Sequence, residues 1–532
     1  MLNNSFARRG IAVASHSLAA QSAVAVLREG GNALEAMVSA ASTIAVVYPH
    51  MTGIGGDAFW VISAPGSDPV AIDACGAAAQ AATIESYKAR GLAAIPPRGA
   101  LAANTVAGTI SGWELALQVS KGWGGRLPLS RLLADSIHYA EEGVPVTVSQ
   151  ENNTRNKRAE LEPVPGFAQR FMPGGDVPAH GSLFRQAVMG ATLRRLSEAG
   201  LADFYRGDIA RSIARDLASV GSPLTLADLE AHAAKQVVPL RLAHSCGTLY
   251  NMTPPTQGVI SLAILGILDR LGLGNHEADS ADHVHAVVEA TKQVFLEIRD
   301  KHVTDPAWMK VEPQSLLDDA RLSALAAAID MKKARPWGGK SKPGGTIWMG
   351  VIDSEGRAVS FIQSIYHEFG SGIVLPGTYI NWQNRGCSFS LDPASVNALA
   401  PGKKPFHTLN PALARLADGR TMVYGTMGGD GQPQTQAAVF TRHAVFGQPV
   451  QRAVSAPRWL LGRTWGSVSE TLKLESRFPT AVIEELRARG HDLEVFGEYE
   501  ETMGHAGALV RHPDGALEGG FDPRGDGCVA GY

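Results

Sequence analysis

Long apolar runs, paired cysteines and an excess of one charge are all missing from this 532-residue sequence. Lys and Arg number 48 against 51 Asp and Glu, which removes the electrostatic case for nucleic acid or an anionic membrane as partner. The four cysteines (Cys75, Cys246, Cys387, Cys528) are scattered, form no CxxC pair and no zinc spacing, and read as reduced thiols of a cytoplasmic protein. The most apolar early stretch, Ala36 to Tyr48, is too short to span a bilayer. Arg8-Arg9 is followed by no hydrophobic segment, so no export signal is read there. HExxH is missing, and His283 and His285 stand two apart without a cluster around them; neither a metal nor an organic cofactor is expected. G-x-S-x-G is also missing, which excludes the serine nucleophile elbow. Gly53-Ile54-Gly55-Gly56 lacks both GxGxxG and GKS/T and reads as a packed turn, not a phosphate loop.

What is present is a globular, loop-rich composition: 45% hydrophobic residues with 58 glycines and 30 prolines. A length prior of about 150 residues per domain suggests three or four domains. Apolar spacing predicts helices over Ala19–Arg28, Ala33–Val47, Val259–Leu271 and about Asp282–Arg299, with a largely helical stretch over 105–235. Residues 331–345 are basic, rich in Pro and Gly, and unpatterned, the composition of an exposed linker. After residue 345 the chain turns to strands and turns.

At that boundary stands Thr346, opening an apolar strand directly after Gly344-Gly345. In an intact chain its hydroxyl is ordinary. If the Gly345–Thr346 bond is cut, Thr346 carries a free α-amine beside its own Oγ, and an N-terminal threonine is nucleophile and base in one residue. The segments 346–352 and 358–365 read as two strands joined by Asp353-Ser354-Glu355-Gly356-Arg357. A loop closing on a left-handed Gly356 fits a type I turn with a bulge. Pairing Asp353 with Arg357 puts Thr346 opposite Ser364, with Cβ atoms roughly 4.5–5.5 Å apart. The competing reading is a plain core hairpin with two incidental hydroxyls.

The chain resembles the γ-glutamyltransferase family of N-terminal-nucleophile hydrolases over essentially its full length. The resemblance rests on Pro49–Asp57, Met252–Gly258, the Thr346 strand, Phe369–Gly372, Leu399–Pro411, Gly425–Asp430, Ala456–Trp459 and the ending from Asp522 to Tyr532. It implies an α+β fold, a four-layer αββα sandwich with two antiparallel central sheets. It also implies self-cleavage at Gly345/Thr346 into a large subunit, 1–345, and a small one, 346–532, together forming one αββα unit; two such units can pair as a dimer. By the same resemblance Thr346 is nucleophile and base, Ser364 assists it, and Gly428 and Gly429 form the oxyanion hole. Glycine suits that task because its N–H approaches an anion without a Cβ in the way.

The departures from the family pattern bear on the substrate. Where γ-glutamyl enzymes place an arginine for the substrate carboxylate, Cys75 stands. Where they place an acid for the substrate amine, Ser388 stands, and Arg385 and Tyr366 replace other polar positions. His407-Thr408 replaces a pair of serines. A glutamyl group would lose its charge partners at both ends, which is costly in a desolvated site. Arg385, His407, Thr408 and Tyr366 are the expected substrate-binding residues, with Trp348 and Tyr366 narrowing the cavity. Such a pocket suits a small anionic amide without an amino group, such as oxamate, whose carboxylate an arginine can hold through two parallel hydrogen bonds. The alternatives are γ-glutamyl hydrolysis or transfer, a cephalosporin-type acylase, and an uncleaved binding protein. For Arg385 the bland alternative is a structural ion pair, for His407 a core histidine, and for Trp348 packing in place of a pocket wall.

Overall fold

The computed structural model describes residues 3–338, 345–463 and 469–532. Two seven-stranded antiparallel sheets lie face to face. In the first, the strand order is Ser5–Ala7, Leu517–Phe521, Ala506–Arg511, Thr421–Thr426, Ala412–Leu416, Gly247–Asn251 and Leu240–His244. In the second it is Cys528–Gly531, Ile11–Ala14, Ile347–Ile352, Ala358–Ser364, Asp57–Ser63, Val70–Ala74 and Lys235–Val237. Each sheet thus interleaves strands from both sides of residue 345. The length prior of three or four domains is therefore corrected: the whole chain builds one sandwich.

Period-2 alternation sends side chains of each strand to opposite faces. In Ile347–Ile352, Ile347, Met349 and Val351 join the core beneath the helices Ser17–Arg28 and Ala33–Val47. Trp348 and Ile352 face the other sheet, packing with Phe59, Leu413 and Val423. The outer face of the first sheet is covered by Gly258–Arg270, Ala281–Val294 and Gln432–Phe440. The predicted helices stand close to their expected bounds, and the last of them passes into a π turn at Phe295–Arg299.

Of the expected linker, 339–344 lie outside the described residues. The part before them is anchored: Lys292 Nζ donates to the Arg335 carbonyl (2.6 Å), and Arg335 N donates to Glu289 Oε2 (3.1 Å). A buried lysine keeps its charge only with such partners, and here they tie the chain down ahead of Gly345.

Candidate active site

The hairpin has the register that its loop implies. Ile347 pairs with Gln363 and Ile352 with Ala358, so Thr346 falls opposite Ser364 and Asp353 opposite Arg357. Gly356 has φ +78°, a conformation that costs a Cβ-bearing residue energy. Asp353 fixes the turn from below: its Oδ2 accepts from Arg357 Nε (2.6 Å) and from Ala33 N (3.0 Å) at the start of the long buried helix.

Thr346 is 1% exposed. Its hydroxyl donates to the Gly345 carbonyl oxygen and lies 3.2 Å from Ser364 Oγ. Ser364 Oγ also donates to the Gly345 oxygen (2.7 Å) and accepts from Tyr366 N (2.8 Å). Two hydroxyls therefore converge on one carbonyl, polarising it, and the threonine oxygen sits where closure onto the carbonyl carbon forms a five-membered ring. Gly56 allows the neighbouring strand to approach, since a Cβ there would lie 2.1 Å from the Ser364 carbonyl oxygen.

From Ser364 a continuous series of contacts runs outward. Tyr366 holds φ +79°, a strained value for a ring-bearing residue and a common mark of functional sites. Its ring centre lies 3.4 Å from the Arg385 guanidinium. Arg385 donates to the Phe406 carbonyl (3.0 Å) and to Thr408 Oγ1 (3.2 Å). It is buried, and among the described residues no carboxylate lies within 4.0 Å of it. Burial accordingly lowers its pKa. The ion-pair alternative for Arg385 thus finds no acid. Gln257 Nε2 then bridges the Thr408 carbonyl (2.8 Å) and the Gly429 carbonyl (2.9 Å). Gly428, at φ +120°, and Gly429 lead from the strand Thr421–Thr426 into the helix Gln432–Phe440. Beside them, Ser388, Phe406 and Asp430 line a cleft of about 670 Å³.

His407 is placed differently from Arg385. Its ring packs edge-on to Phe59 (4.9 Å), and Nε2 lies 3.2 Å from Asp57 Oδ2 without hydrogen-bond geometry. The distance fits an ion pair, but the two atoms form no hydrogen bond and burial favours the neutral imidazole. Burial drives the histidine pKa well down, helped by Arg385, and pushes Asp57 up to about 7. His407 therefore adds no positive charge at neutral pH. At Cys75 the neighbouring Asp73 pairs with Lys404 (2.6 Å).

Trp348 is not a pocket wall. It donates to Ser360 Oγ (3.0 Å) and covers Gly425 and Gly507 of the opposite sheet. Sequence reasoning missed Gln257 as a brace, although it stands inside the Met252–Gly258 segment. It also missed a triad that only folding assembles: potential ligand atoms of His285, Glu289 and His491 lie within 4.8 Å of one another. Their contacts account for them without an ion. His285 Nε2 meets the Asp330 carbonyl (2.9 Å), its Nδ1 meets His491 Nε2 (2.8 Å), and Glu289 pairs with Lys292 (2.7 Å).

A sandwich of this kind, with a hydroxyl poised over the peptide bond before it, defines an N-terminal-nucleophile hydrolase. The gamma-glutamyltranspeptidase profile matches residues 19–532, and the chain belongs to that family. It is 58% identical over the full length of both chains to the oxamate amidohydrolase proenzyme of Klebsiella pneumoniae subsp. pneumoniae. It is 40% identical, over 98% of each chain, to the glutathione hydrolase-like YwrD proenzyme of Bacillus subtilis. Among solved structures, the cephalosporin acylase of Bacillus halodurans superposes with a TM-score of 0.91 at 33% identity, covering 100% of this chain and 97% of that one. By family and fold the chain is an N-terminal threonine amidohydrolase. No helix among the described residues is long and apolar enough to cross a membrane.

Proposed function

We propose that the chain cuts itself between Gly345 and Thr346 and that the matured enzyme hydrolyses oxamate to oxalate and ammonia, a step of purine and allantoin degradation in the cytoplasm. The observation that carries the substrate reading is Arg385, a buried guanidinium with no carboxylate within 4.0 Å among the described residues. A desolvated cation is costly until an anion reaches it, and a carboxylate attached directly to the amide brings that anion close to Thr346. Thr346 Oγ attacks the amide carbon while its own amine takes the proton, Gly428 and Gly429 N–H groups receive the oxyanion, and ammonia leaves. Water then releases oxalate from the threonine ester. Thr408 and Tyr366 hold the guanidinium in place; the 58% identity to an oxamate amidohydrolase proenzyme supports the same substrate.

The two fragments remain one unit, because each large sheet holds strands from both. The amine product measured in parallel, as ammonia from oxamate, cysteinylglycine from glutathione and the free amine from a glutaryl amide, tests the reading. Release from oxamate alone is expected; turnover of glutathione with none of oxamate overturns it.

A further inference from the structure

Glu368 has no part in the scheme above, yet it lies against the bond to be cut. It is 3% exposed, and its Oε1 has no hydrogen-bond partner among the described residues. A Cβ built on Gly345 would stand 3.0 Å from that oxygen, 3.2 Å from Met51 Sδ and 3.3 Å from Glu368 N. The carboxyl thus fills the space that any larger residue at 345 would need. The loop is pinned there: Arg98 Nη1 donates to the Glu368 carbonyl (2.7 Å), and Phe369 N donates to the His50 carbonyl (2.7 Å). Burial raises the Glu368 pKa; Arg98 and Lys157 oppose that rise and Glu501 adds to it. A carboxylate without a close cation is a stronger base than one in water.

Self-cleavage has two halves. In the first, Thr346 Oγ bonds to the Gly345 carbonyl carbon, the C–N bond breaks, and the hydroxyl proton ends on the freed nitrogen, leaving an ester. In the second, water must attack the same carbon. The Thr346 and Ser364 hydroxyls both hydrogen-bond to the carbonyl oxygen, whereas Glu368 Oε1 lies beside the Gly345 Cα.

We propose that Glu368 is the general base of this second half. Its carboxylate takes one proton from water, the hydroxide bonds to the Gly345 carbon, and the C–Oγ bond breaks. Oγ then recovers the proton from Glu368. The new Gly345 carboxyl group gives its proton to the Thr346 amine. The resulting carboxylate stands beside Glu368, and two like charges in one buried space repel, which drives the new C-terminus off Thr346. The proposal rests on Thr346 being the nucleophile of self-cleavage.

The test is the E368Q chain, with T346A alongside. E368Q is expected to keep its melting temperature and to mature about 100-fold more slowly, at the low end of general-base effects. Full-length E368Q should be split by neutral hydroxylamine, leaving a hydroxamate on Gly345 by mass spectrometry, whereas T346A should resist it. E368D, which keeps the carboxyl, should mature faster than E368Q. E368Q maturing at the parental rate, full-length folded E368Q that resists hydroxylamine, or equal rates for E368D and E368Q would each overturn the proposal. If T346A still separates into two fragments, the nucleophile assignment fails instead.

Discussion

Ser364 Oγ donates to the Gly345 carbonyl oxygen at 2.7 Å from the strand directly across the hairpin from Thr346. The relation makes Ser364 a partner of the peptide bond before cleavage as well as of the nucleophile. Ser364→Ala leaves that carbonyl with only the Thr346 hydroxyl and leaves Tyr366 N without its acceptor. Losing a buried partner costs about 1–3 kcal/mol, so maturation should slow by roughly 5- to 150-fold. The appearance of two bands on a denaturing gel over time reads this directly. A rate equal to that of the parent removes Ser364 from the mechanism.

Arg385 is buried with no carboxylate within 4.0 Å among the described residues. Arg385→Gln should lower kcat/KM on oxamate by about 10- to 150-fold, matching about 1.5–3 kcal/mol for hydrogen bonds to a charged group. Maturation should be unchanged and thermal stability undiminished, since a desolvated cation has been removed. Steady-state kinetics and a melting curve test both halves. Undiminished activity would mean that the guanidinium does not meet the substrate.

Gly428 has open space at its missing Cβ, the nearest atom being 3.7 Å away, but its φ is +120°. Gly428→Ala therefore acts through the backbone, turning the N–H groups proposed to receive the oxyanion. Loss of one such donor costs about 2.7–4 kcal/mol, or roughly 10²–10³ in kcat. KM should change far less. A variant with full kcat would remove this turn from the oxyanion site.

The hairpin, its register and the Thr346–Ser364 pairing were legible because loop length, a glycine and alternation are local signals. The individual helices followed from spacing; their arrangement in two layers was implied by the family resemblance. Trp348 takes its packing role and not the pocket-wall role, because Gly425 and Gly507 leave room for it in the opposite sheet, which alternation alone does not tell. The neutral state of His407 comes from burial beside Arg385, which only the fold brings about. Glu368 carries no spacing signal at all; only the fold sets it against Gly345.

Asp57 supplies a pH test. Its pKa rises from 3.8 unfolded to about 7 in the fold, chiefly through burial. The folded state therefore holds that proton more tightly, and the contribution to stability is full below about 3.8 and lost as pH rises through about 7. His407, driven down, acts with the opposite sign, so the comparison must isolate Asp57. Asp57→Asn keeps an acceptor for Gly76 and Gly108 N–H, both at 3.0 Å. Between pH 4 and 7 the parent should lose more thermal stability than the variant. Parallel curves would contradict the shift.

The most direct measurement is the mass and N-terminal sequence of the two fragments in active enzyme, with Thr346→Ala as control. The small fragment should begin at Thr346, the large one should end at Gly345, and the control should stay a single chain without activity. Active protein in which residue 345 is still joined to 346, or a control that divides at the same bond, would contradict a threonine that makes its own catalytic amine.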